Sequence, residues 1–240
     1  MPENYFGEEV AARYDEAIGE WSDPNVVEPA VALLAELAGN GAALELGIGT
    51  GRIALPLIAR GVPVHGVDLS EEMVARLRAK PGGDAIPVTV GDFATTQVDG
   101  AFSLAYVVFN TIMNLRTQPR QVACFRNVAA HLEPGGRFVV EIMLPELQRL
   151  PRGETYIPFA VAPDHIGLDE YDLVEQGLTS HHYNPETGDY STFPGRYLWP
   201  SELDLMAQLA GMELRDRWSG WSREPFTAQS TKHVSVWQKA

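Results

Sequence analysis

The residues best suited to chemistry form a glycine-rich segment, Glu45-Leu46-Gly47-Ile48-Gly49-Thr50-Gly51-Arg52. Glycines at every second position let the backbone turn sharply and let a ligand lie directly against the main chain. The carboxylate of Asp68 follows Gly47 by 21 residues, a distance at which an acid can accept hydrogen bonds from both hydroxyls of a ribose. The dinucleotide-binding spacing GxGxxG requires glycine at position 52, which is Arg52. The segment therefore predicts a site for a ribose-containing ligand, built on a different glycine spacing.

Strands and helices must position these residues, and the apolar pattern predicts that the two alternate. The predicted strands cover 42–46, 62–67, 86–90, 102–109 and 138–143, and the predicted helices cover 6–38, 51–60, 71–80 and 118–132. This alternation is typical of a parallel sheet covered by helices, so the predicted fold class is α/β. The glycine-rich segment then follows the first strand, and Asp68 follows the second.

The C-terminal part of the chain departs from this alternation. Prolines and aromatic residues become more frequent over 145–199, and the sequence at 184–189 predicts a hairpin turn. A helix over 200–210 and an antiparallel pair of strands over 212–218 and 233–238 are predicted to follow. We therefore expect a single domain over 1–240, with a helical N-terminal cap over 1–40 and an insertion over 145–199.

Four motifs, in order over residues 42–143, resemble those of the class I S-adenosylmethionine-dependent methyltransferases. The family motif E/D-x-G-x-G-x-G matches Glu45 with Gly47, Gly49 and Gly51. The ribose-binding acid of the family matches Asp68, and its adenine-side acid matches Asp92. Residues 132–136 match the turn before strand five. The resemblance implies a Rossmann-like, seven-stranded mixed sheet in the order 3-2-1-4-5-7-6. It also implies that the insertion lies between strands five and six.

The same resemblance implies S-adenosylmethionine as the cofactor and assigns it eleven residues: Tyr14, Glu45, Gly47, Gly49, Gly51, Asp68, Leu69, Met73, Asp92, Phe93 and Phe109. The glycine backbone is expected to hold the methionine part, with Glu45 near its amino group, while Asp68 binds the ribose. Leu69 and Met73 are expected to flank the adenine, and Asp92 with Phe93 meets its amino group and ring. Tyr14 closes over the cofactor. For Met73 and Phe93 the alternative is plain core packing, and for Tyr14 it is packing within an amphipathic helix.

The methyl acceptor is expected at the carboxyl end of strand four and under the insertion, with contacts from Asn110, Asn114, Arg196 and Tyr197. A narrower resemblance, to actinomycete small-molecule methyltransferases that include amino-sugar enzymes, is carried by this loop and by Tyr14-Asp15. Such enzymes often have a histidine where this chain has Asn114.

The candidate catalytic residues are Tyr14, His181 and His182. Adjacent residues on a strand face opposite sides, so at most one of the two histidines points inward. His165, in the same insertion, is a further candidate for a base or an acceptor contact. By contrast, His65, His131 and His233 are predicted to be structural.

Nothing in the sequence has the spacing of a metal site, and the single cysteine, Cys124, cannot form an internal disulfide. We therefore predict no metal.

The charge of the chain limits its partners. Lys and Arg number 18 and Asp and Glu number 32, which gives a net charge of −14 over 240 residues. A field of this sign repels phosphate backbones and anionic membranes, so neither is an expected partner. No apolar run approaches the roughly 20 residues that span a bilayer, and the acidic N-terminal stretch does not resemble a signal peptide. We expect a cytoplasmic protein, either a monomer or a homodimer.

These observations together predict an enzyme of secondary metabolism that transfers a methyl group from S-adenosylmethionine to a small molecule. The acceptor atom is expected to be a nitrogen or an acidic oxygen, and catalysis is expected to rest mainly on proximity and orientation. Two alternatives remain at this point, an NAD(P)-dependent oxidoreductase on a related fold and a non-catalytic module that binds S-adenosylmethionine.

Overall fold

Two sheets organise the part of the chain that the structure describes. The structure is a computed structural model that describes residues 5–240, apart from the side chains of residues 20 and 22. Within these residues the strands are β1 (Ala43–Leu46), β2 (Val64–Asp68), β3 (Val88–Val90), β4 (Phe102–Val107), β5 (Leu132–Met143), β6 (Tyr156–Val161), β7 (Ile166–Asp172), β8 (Gly177–Tyr183), β9 (Tyr190–Arg196), β10 (Met212–Trp218) and β11 (Lys232–Lys239).

The larger sheet has seven strands in the order β3-β2-β1-β4-β5-β11-β10. Strands β1 to β5 pair in parallel, whereas β11 runs antiparallel to β5 and β10 antiparallel to β11. Since β10 and β11 are the sixth and seventh strands of this sheet in chain order, the predicted order 3-2-1-4-5-7-6 is confirmed. The other four strands, β6 to β9, form a separate antiparallel sheet inserted between β5 and β10.

Helices cover the larger sheet: α1 (Glu8–Ala17), α2 (Pro24–Ala38), α3 (Ala54–Ala59), α4 (Glu71–Arg78), α5 (Gln118–His131) and α6 (Pro200–Leu209). The predicted N-terminal helix over 6–38 is divided in two, because Asp23 accepts a hydrogen bond from the backbone N–H of Asn25 and starts a new helix at Pro24. Residues 1–4 of the predicted cap lie outside the described residues. None of the helices described is both long enough and apolar enough to cross a membrane.

Apolar side chains bury both faces of the larger sheet. On one face the rings of Phe125, Phe138 and Trp237 pack edge to face or tilted, with centroids 5.0–6.2 Å apart. On the other face α2 contributes a buried stripe that includes Val31 and Leu34. A sheet buried on both faces leaves its strand ends as the natural place for a ligand.

The three histidines predicted to be structural are held by hydrogen bonds within the fold. His65 Nε2 lies 2.9 Å from the hydroxyl of Thr89, and His233 Nδ1 lies 2.8 Å from that of Ser235. Burial lowers the pKa of His233 to about 4. His131 Nε2 accepts the Val98 N–H at 3.0 Å, and its Nδ1 lies 2.7 Å from the carbonyl of Asn127.

Candidate active site

A cavity opens at the carboxyl ends of β1, β2 and β4, where ligands bind in open α/β sheets. The lining residues are Tyr5, Phe6, Tyr14, Gly47, Gly49, Asp68, Leu69, Met73, Asp92, Phe93, Thr111, Asn114, Leu115 and Arg120. Nine of them were predicted individually from the sequence, and Thr111 belongs to the loop after strand four, where the acceptor is expected. Tyr5, Phe6, Leu115 and Arg120 were not predicted.

The loop between β1 and α3 brings bare backbone to this cavity. All three of its glycines have positive φ, at 72° for Gly47, 54° for Gly49 and 83° for Gly51. A Cβ at Gly47 would lie 2.5 Å from Thr111 Cγ2, and one at Gly51 would lie 2.3 Å from Leu77 Cδ1. Glycine is therefore required both by backbone conformation and by close approach. Gly51 itself does not line the cavity; it allows the loop to pack on α4.

Asp68 holds the loop and faces the cavity. Its Oδ2 accepts the Gly49 N–H at 2.7 Å, and its Oδ1 accepts the Ser70 N–H at 2.9 Å. Burial raises the pKa of Asp68, and these backbone hydrogen bonds oppose that effect. A carboxylate has about four lone-pair sites, so each oxygen can still accept from a ligand hydroxyl.

Glu45 lies beneath the loop and does not line the cavity. It is 3% exposed, and its Oε2 accepts the hydroxyl proton of Tyr106 at 2.9 Å. Burial raises the pKa of Glu45 to about 8, while the nearby positive charge of Arg52 lowers it. A buried carboxyl with so high a pKa becomes ionised readily only when a cation approaches it.

The far end of the cavity combines apolar walls with a charged pair. Met73 and Phe93 are both almost completely buried, and part of each contacts the cavity. Asp92 Oδ1 accepts the Ala94 N–H at 3.0 Å, and Oδ2 pairs with the guanidinium of Arg120. Sequence reasoning missed Arg120 because only the packing of α5 brings it to Asp92.

The N-terminal residues form one wall of the cavity. Tyr14 reaches it from α1, and the ring of Phe6 packs edge to face on Tyr14 with centroids 6.0 Å apart. Burial raises the pKa of Tyr14; the charge of Arg52 lowers it, and that of Asp68 raises it further.

The turn after β4 has left-handed backbone torsion angles and is held by two hydrogen bonds. Phe109 and Asn110 have φ values of 57° and 60°, a left-handed conformation that asparagine adopts readily but that is strained for phenylalanine. The Phe109 N–H donates to Glu141 at 3.0 Å, and the side-chain Oδ1 of Asn110 accepts the Met143 N–H at 2.7 Å. Neither Phe109 nor Asn110 lines the cavity. The turn instead presents Asn114 and Thr111, from the 3-10 turn Thr111–Asn114, to it.

Arg52, which follows the glycine loop, bridges three segments. Its guanidinium lies 4.3 Å from the ring centroid of Phe109 and donates to the carbonyl of Trp21 at 3.0 Å. The rings of Trp21 and Phe109 are 5.9 Å apart. Arg52 therefore joins the N-terminal segment and the turn after β4 to the glycine loop, and its charge reaches Glu45.

The inserted sheet separates the two candidate histidines. Residues that pair across strands share a face, and Gly195 lies on the face of Leu178, Ser180 and His182. A Cβ at Gly195 would lie 3.2 Å from the side chain of Met113, so this face packs on the 3-10 turn beside the cavity. His181 is on the opposite face.

Different partners occupy the two histidines. His182 Nδ1 lies 3.0 Å from His165 Nε2, with the two rings stacked at 5.2 Å, and burial lowers the pKa of His182. His181 lies 3.0 Å from a carboxylate oxygen of Glu170 and 2.5 Å from the hydroxyl of Tyr190. Neither histidine lines the cavity.

Arg196 and Tyr197, predicted as acceptor contacts, lie at the base of the inserted sheet. Arg196 is 6% exposed and donates to Gln121 at 2.5 Å, Gln176 at 2.9 Å and Glu202 at 2.8 Å. Tyr197 is buried with its ring 5.9 Å from that of Tyr171. The structure does not bring either residue to the cavity; both tie the inserted sheet to the rest of the domain.

The donor set fits S-adenosylmethionine. The bare backbone of the glycine loop allows its methionine part to approach closely, and the Glu45 carboxyl beneath the loop suits an ammonium group. Asp68 has acceptor sites left for two hydroxyls, and Met73 with Phe93 offers apolar surface for a flat ring. The residues present therefore match the chemistry of the cofactor from end to end.

Comparison with known proteins leads to the same family. A family model described as a methyltransferase domain matches residues 43–136. The chain is 39% identical to the CcbJ methyltransferase from Streptomyces caelestis over 98% of each chain, with a TM-score of 0.85. The protein belongs to the S-adenosylmethionine-dependent methyltransferases, which confirms the methyltransferase predicted from the sequence.

Two further relatives fit this family. The chain is 26% identical to a cypemycin N-terminal methyltransferase from Streptomyces over 82% of both chains. Its fold matches that of CalS10, an amino pentose methyltransferase from Micromonospora echinaspora, with a TM-score of 0.70 and 20% identity over 99% of each chain.

Proposed function

We propose that the acceptor is a small metabolite that presents an amine or an already acidic hydroxyl, and that catalysis rests on proximity and orientation. The observation that carries this proposal is the state of the ionisable groups lining the cavity: Tyr5, Tyr14, Asp68, Asp92 and Arg120. Tyr14 has a raised pKa, Asp68 accepts two backbone N–H groups, and Asp92 pairs with Arg120. None of these groups is suited to remove a proton from a neutral alcohol.

The cofactor roles proposed for individual residues follow the geometry. The backbone at Gly47 and Gly49 holds the methionine part, Glu45 provides the counter-charge for its ammonium group, and Asp68 binds the ribose. Asp92 lies at the adenine end, where Arg120 shares its carboxylate. When bound, the cofactor supplies a methyl group already activated by the positive charge of its sulfonium.

Besides binding the cofactor, the protein must align the acceptor with the methyl group and exclude water. Asn114 and Thr111 offer neutral hydrogen-bonding groups at the acceptor side, and Tyr14 covers the cavity from α1. We propose that the inserted sheet, within 145–199, covers the acceptor with the face that carries His182. That face packs on Met113, next to Asn114, which supports this placement.

The cofactor placement is tested by measuring S-adenosylmethionine affinity calorimetrically for the wild type, Asp68→Ala and the control Asp84→Ala. Asp84 is an exposed acid outside the cavity. Charge-assisted hydrogen bonds contribute roughly 1.5–3 kcal/mol each, so Asp68→Ala should weaken binding at least about tenfold. Unchanged affinity in a folded Asp68→Ala protein would refute the ribose assignment, and binding of NADH in place of S-adenosylmethionine would refute the site.

The acceptor class is tested by screening amines, phenols, carboxylates and aliphatic alcohols with isotopically labelled S-adenosylmethionine and mass spectrometry. We expect labelled product from an amine or an acidic hydroxyl. Efficient methylation of aliphatic alcohols alone would show that a base acts in the site and would overturn the proposed mechanism.

A further inference from the structure

The N-terminal strap, defined as residues 5–17, covers the cavity although few of its side chains are buried. Helix α1, which makes up most of the strap, has Ala11 as its one buried residue. Nevertheless Tyr5, Phe6 and Tyr14 all line the cavity. These three half-buried aromatic side chains hold part of the strap against the cavity, and polar contacts add to them.

Polar contacts hold the helical end of the strap to the glycine loop. Asp15 Oδ1 accepts the hydroxyl proton of Thr50 at 2.6 Å, and Asp15 Oδ2 lies 2.7 Å from Lys80 Nζ. Lys80 Nζ also donates to the backbone carbonyl of Thr50 at 2.9 Å. Thr50 lies between the second and third glycines of the loop, so these contacts join α1 directly to the cofactor-binding backbone.

Two more contacts hold the other end of the strap. The Ser70 hydroxyl lies 2.5 Å from the Phe6 carbonyl, and Arg116 donates to the Tyr5 hydroxyl at 2.6 Å. Ser70 follows the cavity residues Asp68 and Leu69 in the chain, and Arg116 follows Leu115. Each anchor thus comes from a segment that itself forms a wall of the cavity.

The Asp15–Lys80 pair is charged and partly exposed. Burial by itself would raise the pKa of Asp15, but hydrogen bonds from Lys80 and Thr50 outweigh it and hold the pKa below its usual value. The Asp15 side chain is 46% exposed and that of Lys80 31%. Dissolved salt therefore screens this pair, unlike the buried contacts of the cavity.

We propose that Asp15 is a positioning residue which, held by Thr50 and Lys80, keeps Tyr14 over the bound cofactor and sets the rate at which S-adenosylhomocysteine leaves after methyl transfer. The proposal rests on the proposed placement of the cofactor in this cavity. A ligand that lies between the strap and the glycine loop keeps contacts with both, so it leaves faster when the two separate. That separation breaks the Asp15 contacts.

The test measures the dissociation of labelled S-adenosylhomocysteine from the full-length enzyme after a chase with unlabelled ligand. Loss of the contacts in Asp15→Ala should speed dissociation by about 5–30-fold, given the usual net strength of two or three hydrogen bonds. Lys80→Met should act in the same direction, and Lys80→Arg should restore much of the slow rate. The matched control is Glu16→Ala, the neighbouring exposed acid on α1, which should dissociate like the wild type.

The salt dependence of the dissociation rate distinguishes a positioning role of Asp15 from a general loss of stability in the variants. Raising ionic strength from about 0.02 M to about 0.5 M shortens the Debye length severalfold, so wild-type dissociation should accelerate. Asp15→Asn and Lys80→Met should show little of this acceleration, because the ion pair is absent. S-adenosylhomocysteine carries no net charge at neutral pH, so screening of the ligand itself contributes little.

The outcomes distinguish this inference from the proposed function. If Asp68→Ala weakens binding but Asp15→Ala dissociates S-adenosylhomocysteine at the wild-type rate, the positioning role of Asp15 is wrong and the cofactor site stands. The positioning role would also be refuted if salt accelerated dissociation equally in the wild type and in Lys80→Met. If Asp68→Ala leaves binding unchanged, the cofactor placement fails and the role of Asp15 fails with it.

Discussion

Replacing Glu45 by glutamine should make the cofactor-free enzyme more stable while weakening its affinity for the cofactor. Glu45 is buried beneath the glycine loop with a single hydrogen bond, from Tyr106. Its pKa is raised from 4.5 to about 8, mainly by burial. Glutamine keeps the shape and can still accept the Tyr106 hydroxyl proton, but it never ionises.

The magnitude follows from the pKa in the two states. Between pH 4.5 and about 8 the folded protein holds a proton on Glu45 that the unfolded chain has lost, so the free energy of unfolding falls as pH rises through this window. At about 1.4 kcal/mol for each pH unit, the full difference amounts to about 5 kcal/mol above pH 8. Glu45→Gln should remove this loss, so the variant should exceed the wild type in stability increasingly from pH 5 to pH 8.

The affinity of the wild type for the cofactor should rise with pH over the range in which its free energy of unfolding falls. The ammonium of S-adenosylhomocysteine favours the ionised carboxylate, so wild-type affinity should rise about tenfold for each pH unit between 6 and 8 and then level off. Glu45→Gln should bind more weakly at pH 8 and lose this slope.

Urea unfolding without ligand and calorimetric titration with S-adenosylhomocysteine, each at pH 6, 7, 8 and 9, measure both effects. The reasoning is refuted if Glu45→Gln is less stable than the wild type at pH 8, or if the two proteins share one pH dependence of affinity.

Three other expectations concern the glycine loop, the base of the inserted sheet and the candidate bases. Gly47→Ala should destabilise the protein by about 1–3 kcal/mol and weaken S-adenosylhomocysteine binding, because its Cβ would lie 2.5 Å from a neighbouring side chain. The control Gly61→Ala is also at positive φ but has open space around it, so it should leave binding unchanged. Arg196→Ala should lower the free energy of unfolding by about 3–5 kcal/mol in urea titrations, because it leaves the partners of the guanidinium unpaired. Its affinity for the cofactor should equal that of the wild type. A large loss of affinity with normal stability would contradict this expectation. His181→Ala and His182→Ala should each lower turnover by less than about 100-fold, and a loss above about 10³-fold with intact cofactor binding would show that the inserted sheet supplies a base.

Much of the cavity lining around the glycine loop could be predicted from the sequence because its determinants are local. The spacing of Gly47, Gly49 and Gly51 reflects backbone conformations that glycine adopts at low cost, and all three do have positive φ. Ser70 caps α4 through a hydrogen bond from the Met73 N–H, three residues away. Asp68 reaches the glycine loop because parallel neighbouring strands end at the same edge of a sheet.

The acceptor half depended on contacts between residues distant in the chain. Asn110 was expected to meet the acceptor, but a strained turn directs its side chain to the backbone of Met143. Arg196 was expected there too, but the packing of β9 against α5 and α6 buries it.

The sequence by itself determined that only one of two adjacent histidines can face inward, since alternation along a strand is a property of the backbone. Which one does so was decided by the tertiary structure, because the docking of Gly195 on Met113 selects the face of His182. The partnership of Arg120 with Asp92, 28 residues apart, arises in the same way. Local conformation follows from a residue and its near neighbours, whereas side-chain placement at a site follows from how whole elements pack, and no short-range pattern encodes that packing.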